Sequence, residues 1–206
     1  MDLVNFKKDL VTYITEKHSV HTIILYGSYS TGDFTEDSDI DVLCFTDVGE
    51  EKNDTGLFEG KRLDVWIYPD EKLQQPDQFL HVHKGEILLD EKGLAGPFLE
   101  EVERIYEEGP SQMSESEKDF LKNWLRKMNE RSKQDDFEGN YRYHWMLRDS
   151  LGIYFELKGV WYPGSKKAVR WLEEHDPTAY ALFTEVYKKE VDHQAIDQLL
   201  DYLEKL

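Results

Sequence analysis

The sequence is short of cysteine, of basic residues and of long apolar runs, and each shortage removes a class of protein. Cys44 is the only cysteine among 206 residues, so no disulfide can form within the chain. A reducing, cytoplasmic setting is therefore expected. Lys and Arg number 25 against 43 Asp and Glu, a formal net charge of -18. Such a chain lacks the basic surface that the phosphates of a long nucleic acid need, although a local groove for a single nucleotide stays compatible with it. The opening MDLVNFKKDLV carries no secretory apolar core, and no run approaches the length of a membrane span. A soluble intracellular protein without membrane contact is the expectation. No internal repeat or low-complexity tract is present.

What the chain does have is aromatic side chains: 12 Tyr, 10 Phe and 5 Trp, too many for a disordered polymer. Its length can hold one large domain or two small ones with separate cores. The apolar residues of 2–17 recur at helical spacing. Residues 22–26, 40–45, 61–68 and 85–90 read as strands, and 71–82 and 94–106 as helices. The acidic segment 46–56 reads as a mobile, solvated loop. Gly109-Pro110-Ser111 breaks the pattern, and the domain boundary is placed there, giving 1–109 and 110–206. Beyond it the periodicity is helical. Ser114 to Glu117 forms a capping box opening a helix to about Lys133, and 136–140 interrupts. Helices follow over 141–158, 166–174, Thr178–Lys189 and Asp192–Lys205. Trp124, Trp145 and Tyr154 are expected in the core.

The chemistry concentrates in Ile23 to Phe45, IILYGSYSTGDFTEDSDIDVLCF. Gly27 and Ser28 leave the first strand into a short helix starting at Ser28. This is either a seat for phosphate, where glycine permits close approach, or a plain tight turn. Strand alternation sends Asp39 and Asp41 to one face while Ile40 and Val42 enter the core. Two carboxylates so placed repel each other, and a divalent cation is the usual remedy. Asp64 alternates with Leu63 and Val65 and would join the same cleft if the third strand lies beside the second in the right register. His81 and His83 form a His-x-His pair that reads more economically as surface or core histidines than as metal ligands.

Gly27-Ser28, a gap, Gly32-Asp33, then Ser38-Asp39-Ile40-Asp41, with Asp64 on a later strand, resembles the signature of the DNA polymerase beta-like nucleotidyltransferase superfamily. The helical second half resembles bacterial members related to aminoglycoside nucleotidyltransferases. The resemblance implies an α+β fold, a small mixed sheet with flanking helices followed by an antiparallel helical bundle that binds the acceptor. It further implies a nucleotidyltransferase that uses two Mg²⁺ ions to move an NMP group from a nucleoside triphosphate to a hydroxyl, releasing pyrophosphate. Asp39, Asp41 and Asp64 would be the catalytic metal ligands, and Gly27 and Ser28 would meet the terminal phosphates. Lys166 and Lys167, in a helix start beside Trp161 and Tyr162, would add cations for the nucleotide, or else form a solvated helix face. Tyr141, His144 and Arg148 share a helix face and read either as a core-and-rim set or as a substrate-binding one. The acceptor, a small molecule or a protein, is not identified by any motif. The competing readings are a catalytically silent nucleotide sensor or antitoxin-like interaction module on the same fold, and a structural Ca²⁺ site.

Overall fold

A computed structural model describes residues 2–188 and 193–206, which fall into two compact units, Met1–Glu108 and Gly109–Leu206. The first unit opens with α1, Leu3–Lys17, whose Phe6, Leu10 and Ile14 lie one turn apart and are buried. Asp2 caps it by accepting from the Val4 N–H at 3.1 Å. Then come β1 (Thr22–Tyr26), the four-residue α2 (Ser28–Thr31), β2 (Ile40–Thr46), β3 (Lys52–Asp54), β4 (Leu57–Phe58) and β5 (Lys61–Pro69). Two 3-10 segments, Asp70–Gln74 and Pro76–Val82, lead into β6 (Glu86–Asp90) and α3 (Ala95–Glu108).

The strands form one mixed sheet in the order β3-β5-β2-β1-β6, with β4 paired to β5. β2 and β5 run parallel, and the other pairs are antiparallel. Strand alternation sorts the side chains onto two faces. Ile23, Leu25, Ile40, Val42, Leu63 and Val65 pack with α1 on one. Ile24, Tyr26, Leu43 and Phe45 pack with Phe79, Phe98 and Val102 on the other.

Two expectations are corrected here. Lys52–Asp54, inside the segment read as loop, is an edge strand on β5. It carries no apolar pattern, because main-chain hydrogen bonds hold it rather than burial. The segment 71–82 is two 3-10 pieces rather than a helix, with Pro76 opening the second.

The second unit is helical: α4 (Glu115–Ser132), α5 (Phe137–Lys158), α6 (Ser165–His175), α7 (Pro177–Val186) and α8 (His193–Leu203). α4 carries the Ser114/Glu117 capping box, and α5 stops where Gly159 adopts φ 66°. Asp136 does not interrupt a helix but starts one, accepting from the Gly139 N–H at 2.7 Å, so Phe137 to Asn140 are helical. The expected helix end at Lys189 and start at Asp192 lie outside the described residues. Tyr154 is fully buried and Trp124 packs on the edge of the core. Trp145, expected inside, is 40% exposed, its indole N–H donating to Asp149 at 2.8 Å. Among the described residues, no helix is long and apolar enough to cross a membrane.

Candidate active site

Three strands bring Tyr26, Asp41 and Asp64 into one row. The parallel register of β2 and β5 sets Asp41 opposite Asp64, and the antiparallel register of β1 and β2 sets Tyr26 opposite Asp41. Paired residues share a face, so Tyr26, Asp41 and Asp64 lie side by side on the face that carries Leu43, Phe45, Trp66 and Tyr68. Both aspartates are half-buried. Asn53, brought in by the edge strand β3, donates from Nδ2 to Asp64 Oδ1 at 2.6 Å.

The charge of this row is felt by its neighbours. Burial, and after it the negative charges of Asp41 and Asp64, push the Tyr26 phenol far above its usual value. Tyr68 is raised by burial, then by Glu51, with a smaller contribution from Asp64. His81 packs its ring against Tyr26 at 5.3 Å. Its pKa sits below the ordinary imidazole value because desolvation outweighs the opposing pull of Asp64. His83 instead stacks on Tyr106 at 3.7 Å, and its Nδ1 lies 2.9 Å from the Leu80 carbonyl.

Gly27 ends β1 beside this row with φ 68° and ψ -148°, a combination essentially restricted to glycine. A Cβ at Gly27 would collide with Asp41 Oδ2. The turn is held in place from both sides. Ser30 and Thr31 each donate a hydroxyl to the Gly27 carbonyl at 3.1 Å. Tyr29, buried, stacks between Phe34 at 4.5 Å and Phe6 at 5.6 Å. Ser28 is the first residue of α2.

Asp39 lies just before β2 and is exposed. It lines a cavity of about 400 Å³ together with Ser38, Lys61 and Arg62. Lys61 Nζ donates to the Glu36 carbonyl at 2.9 Å, tying β5 to this loop. Arg62 sits two residues before Asp64 and so on the same strand face. The sequence expectation names Lys166 and Lys167 rather than these two, although alternation along Arg62-Leu63-Asp64 places Arg62 on the Asp64 face. Lys166 and Lys167 belong to the second unit, in the first turn of α6.

Among the described residues, one group of three His, Cys, Asp or Glu brings its ligand atoms within 4.8 Å: His21, Asp47 and Asp70. It lies at the opposite end of the sheet, where β1 begins and β2 and β5 finish. There Lys92 Nζ contacts both Asp47 and Asp70, the latter at 2.7 Å, so this group already holds an internal cation. Asp39, Asp41 and Asp64 are not gathered so tightly. Their donors are all carboxylate oxygens, which suit a hard divalent cation, and the missing Cβ of Gly27 keeps the space beside Asp41 Oδ2 open.

A mixed α+β sheet with carboxylates at one strand end defines the class; the family follows from comparison. The family described as Nucleotidyltransferase domain matches residues 7–128, more than half of the chain, and the chain belongs to it, within the DNA polymerase beta-like superfamily. A Methanocaldococcus jannaschii protein, provisionally named a protein adenylyltransferase, is 50% identical over 38 residues, which are 18% of this chain and 36% of that protein. The match thus spans about a third of the relative's length. A nucleotidyltransferase-like protein from Exiguobacterium sibiricum has a similar structure with a TM-score of 0.48 and 14% identity, over 97% of this chain and 73% of that one.

Proposed function

We propose that the protein transfers an NMP group from a nucleoside triphosphate, in the presence of Mg²⁺, to a hydroxyl of a small-molecule or protein acceptor, with release of pyrophosphate. The observation that carries this reading is the register that sets Asp41 beside Asp64 on one sheet face, next to Gly27. Asp41 and Asp64, with Asp39, are the residues that would hold the metal. When bound, Mg²⁺ supplies charge neutralisation at the reacting phosphate and acidifies the attacking hydroxyl. Asp64 is the carboxylate assigned to receive that hydroxyl proton. The α-phosphorus–oxygen bond to pyrophosphate breaks as the bond to the acceptor oxygen forms.

Gly27 and Ser28 are assigned to the triphosphate, since only a glycine backbone fits beside Asp41. Lys61 and Arg62, which line the cavity with Asp39, are assigned to the phosphates through charge-assisted hydrogen bonds. Lys166 and Lys167 remain the second unit's candidates for the same role. ATP as donor and a protein hydroxyl as acceptor follow only from the name of the archaeal relative. The helical unit as acceptor-binding domain follows from the resemblance to aminoglycoside enzymes.

Calorimetric binding of ATP, GTP, CTP and UTP, with and without Mg²⁺, tests the reading on wild type and on Asp41→Asn/Asp64→Asn. Binding that needs the metal is expected in wild type and falls by at least about 100-fold in the double variant. Mg²⁺-dependent binding that survives in the double variant overturns the site. Tight binding without pyrophosphate release for any acceptor would favour a nucleotide-binding sensor instead.

A further inference from the structure

The helical unit contains a cavity of about 500 Å³ whose lining includes none of the residues assigned to the metal or the triphosphate. That volume lies within the range of small-molecule sites. Its floor is Leu151 from α5, Leu172 from α6 and Phe183 from α7, all buried. Tyr180 and Tyr187 contribute ring surface, and the Tyr187 hydroxyl is tied to the Leu147 carbonyl at 2.6 Å, which fixes that ring. Three helices therefore build a lining dominated by apolar and aromatic surface.

Among the lining residues Arg148 is the one that carries a charge. Arg148 lines the cavity with its side chain 85% exposed, and its ion pair among the described residues is a 4.0 Å approach to Asp149. Asp149 also accepts from Trp145 at 2.8 Å, so the guanidinium keeps most of its donors available. Ser165, also on the rim, is the first residue of α6, an eleven-residue helix. The N-cap of α6 is Gly164, which has no side chain to cover the first N–H groups, and Lys166 and Lys167 follow in that turn. Acidic residues are the usual choice there, so this turn adds positive potential where a chain of net charge -18 has little.

We propose that this cavity is a binding site for a small organic anion: a molecule with a flat apolar body, seated on Leu151, Leu172 and Phe183, and one anionic group meeting Arg148. The cavity supplies the affinity for the body, and the guanidinium selects the charge. The lining residues all belong to the helical unit.

Two probes with the same rings separate the two halves of the proposal. One is 8-anilinonaphthalene-1-sulfonate, and the other is N-phenyl-1-naphthylamine, which lacks the sulfonate. Fluorescence titration of the folded protein is expected to give a single saturable site, with the sulfonate bound about tenfold more tightly, the scale of one charge-assisted hydrogen bond. Arg148→Gln should remove that preference and leave the neutral probe unchanged. Val169 lines the cavity but is 47% exposed, so Val169→Trp can fill the space without disturbing the core. It should abolish binding of both probes while the thermal melt stays in place. Unchanged binding in Val169→Trp overturns the site. An Arg148→Gln variant that keeps the preference, or loses both probes equally, overturns the anion assignment. Absence of saturable binding to wild type overturns the whole proposal.

Discussion

The two ends of one sheet carry aspartates in similar density and treat them differently. Where β1 begins and β2 and β5 finish, Asp47 and Asp70 are bridged by Lys92, and Asp70 also lies 2.8 Å from His21 Nε2. His21 is buried and turns its other ring nitrogen to the Thr22 hydroxyl at 2.9 Å. At the opposite end Asp41 and Asp64 stand side by side, and the amide of Asn53, a neutral donor, meets Asp64. A network with its own ammonium and imidazole is closed on itself and contributes to folding. At the other end burial first, and after it the charges of Asp41 and Asp64, raise the pKa of Tyr26. Acidic content therefore does not separate the two ends; the identity of the nearest donors does.

The comparison breaks most readily at His21. His21→Ala removes two hydrogen bonds and leaves a buried gap, and a loss of about 2–3 kcal/mol in urea unfolding is expected. Mg²⁺-dependent nucleotide binding should not change. If binding falls with it, the two ends are not independent and the contrast fails.

A smaller effect sharpens the contrast from the other side. Asn53→Lys gives the proposed active end the kind of internal cation that Lys92 supplies at the far end. Mg²⁺ affinity should drop by about tenfold, because an ammonium beside Asp64 competes for the same charge. Thermal stability should hold or rise. An unchanged Mg²⁺ affinity would remove Asp64 from the metal site.

The smallest effect concerns a third carboxylate, in the helical unit. Asp176 is buried, which raises its pKa, but hydroxyl donors from Tyr202 and Tyr154, the Ala179 N–H and the charge of Lys158 together outweigh that. The net shift is downward from 3.8. A depressed folded-state pKa means that the stabilisation is complete above the unfolded value and is lost as pH falls below about 4 toward the folded value. The urea midpoint of wild type should therefore decline more steeply from pH 5 to pH 3 than that of Asp176→Asn. Equal slopes would show that Asp176 behaves as a surface carboxylate.

How much of this was readable beforehand depends on what each feature leaves in the chain. α1, β1, β2 and β5 were legible because burial imposes a period, as with Phe6, Leu10 and Ile14, or the alternation of Leu63, Val65 and Ile67. The edge strand Lys52–Asp54 leaves no such mark, and neither does Asn53 as donor to Asp64. Asp136 looked like a break because an N-cap residue and a loop residue are chemically alike until the Gly139 N–H is seen to point at it. The cluster of His21, Asp47, Asp70 and Lys92 spans distant parts of the chain and has no local spacing to detect.

Local pattern in the chain carries the α+β order, the buried Ile40 between Asp39 and Asp41, and the Gly27-Ser28 turn ahead of them. These follow from local rules, namely side-chain period and glycine's freedom of φ. Only the folded chain reveals that Asp64 stands opposite Asp41. It alone also showed that Lys92 closes the far end and that three helices enclose an apolar cavity with Arg148 at its mouth. Each of these depends on strand register or helix packing, which long-range burial sets and which no short stretch of chain encodes.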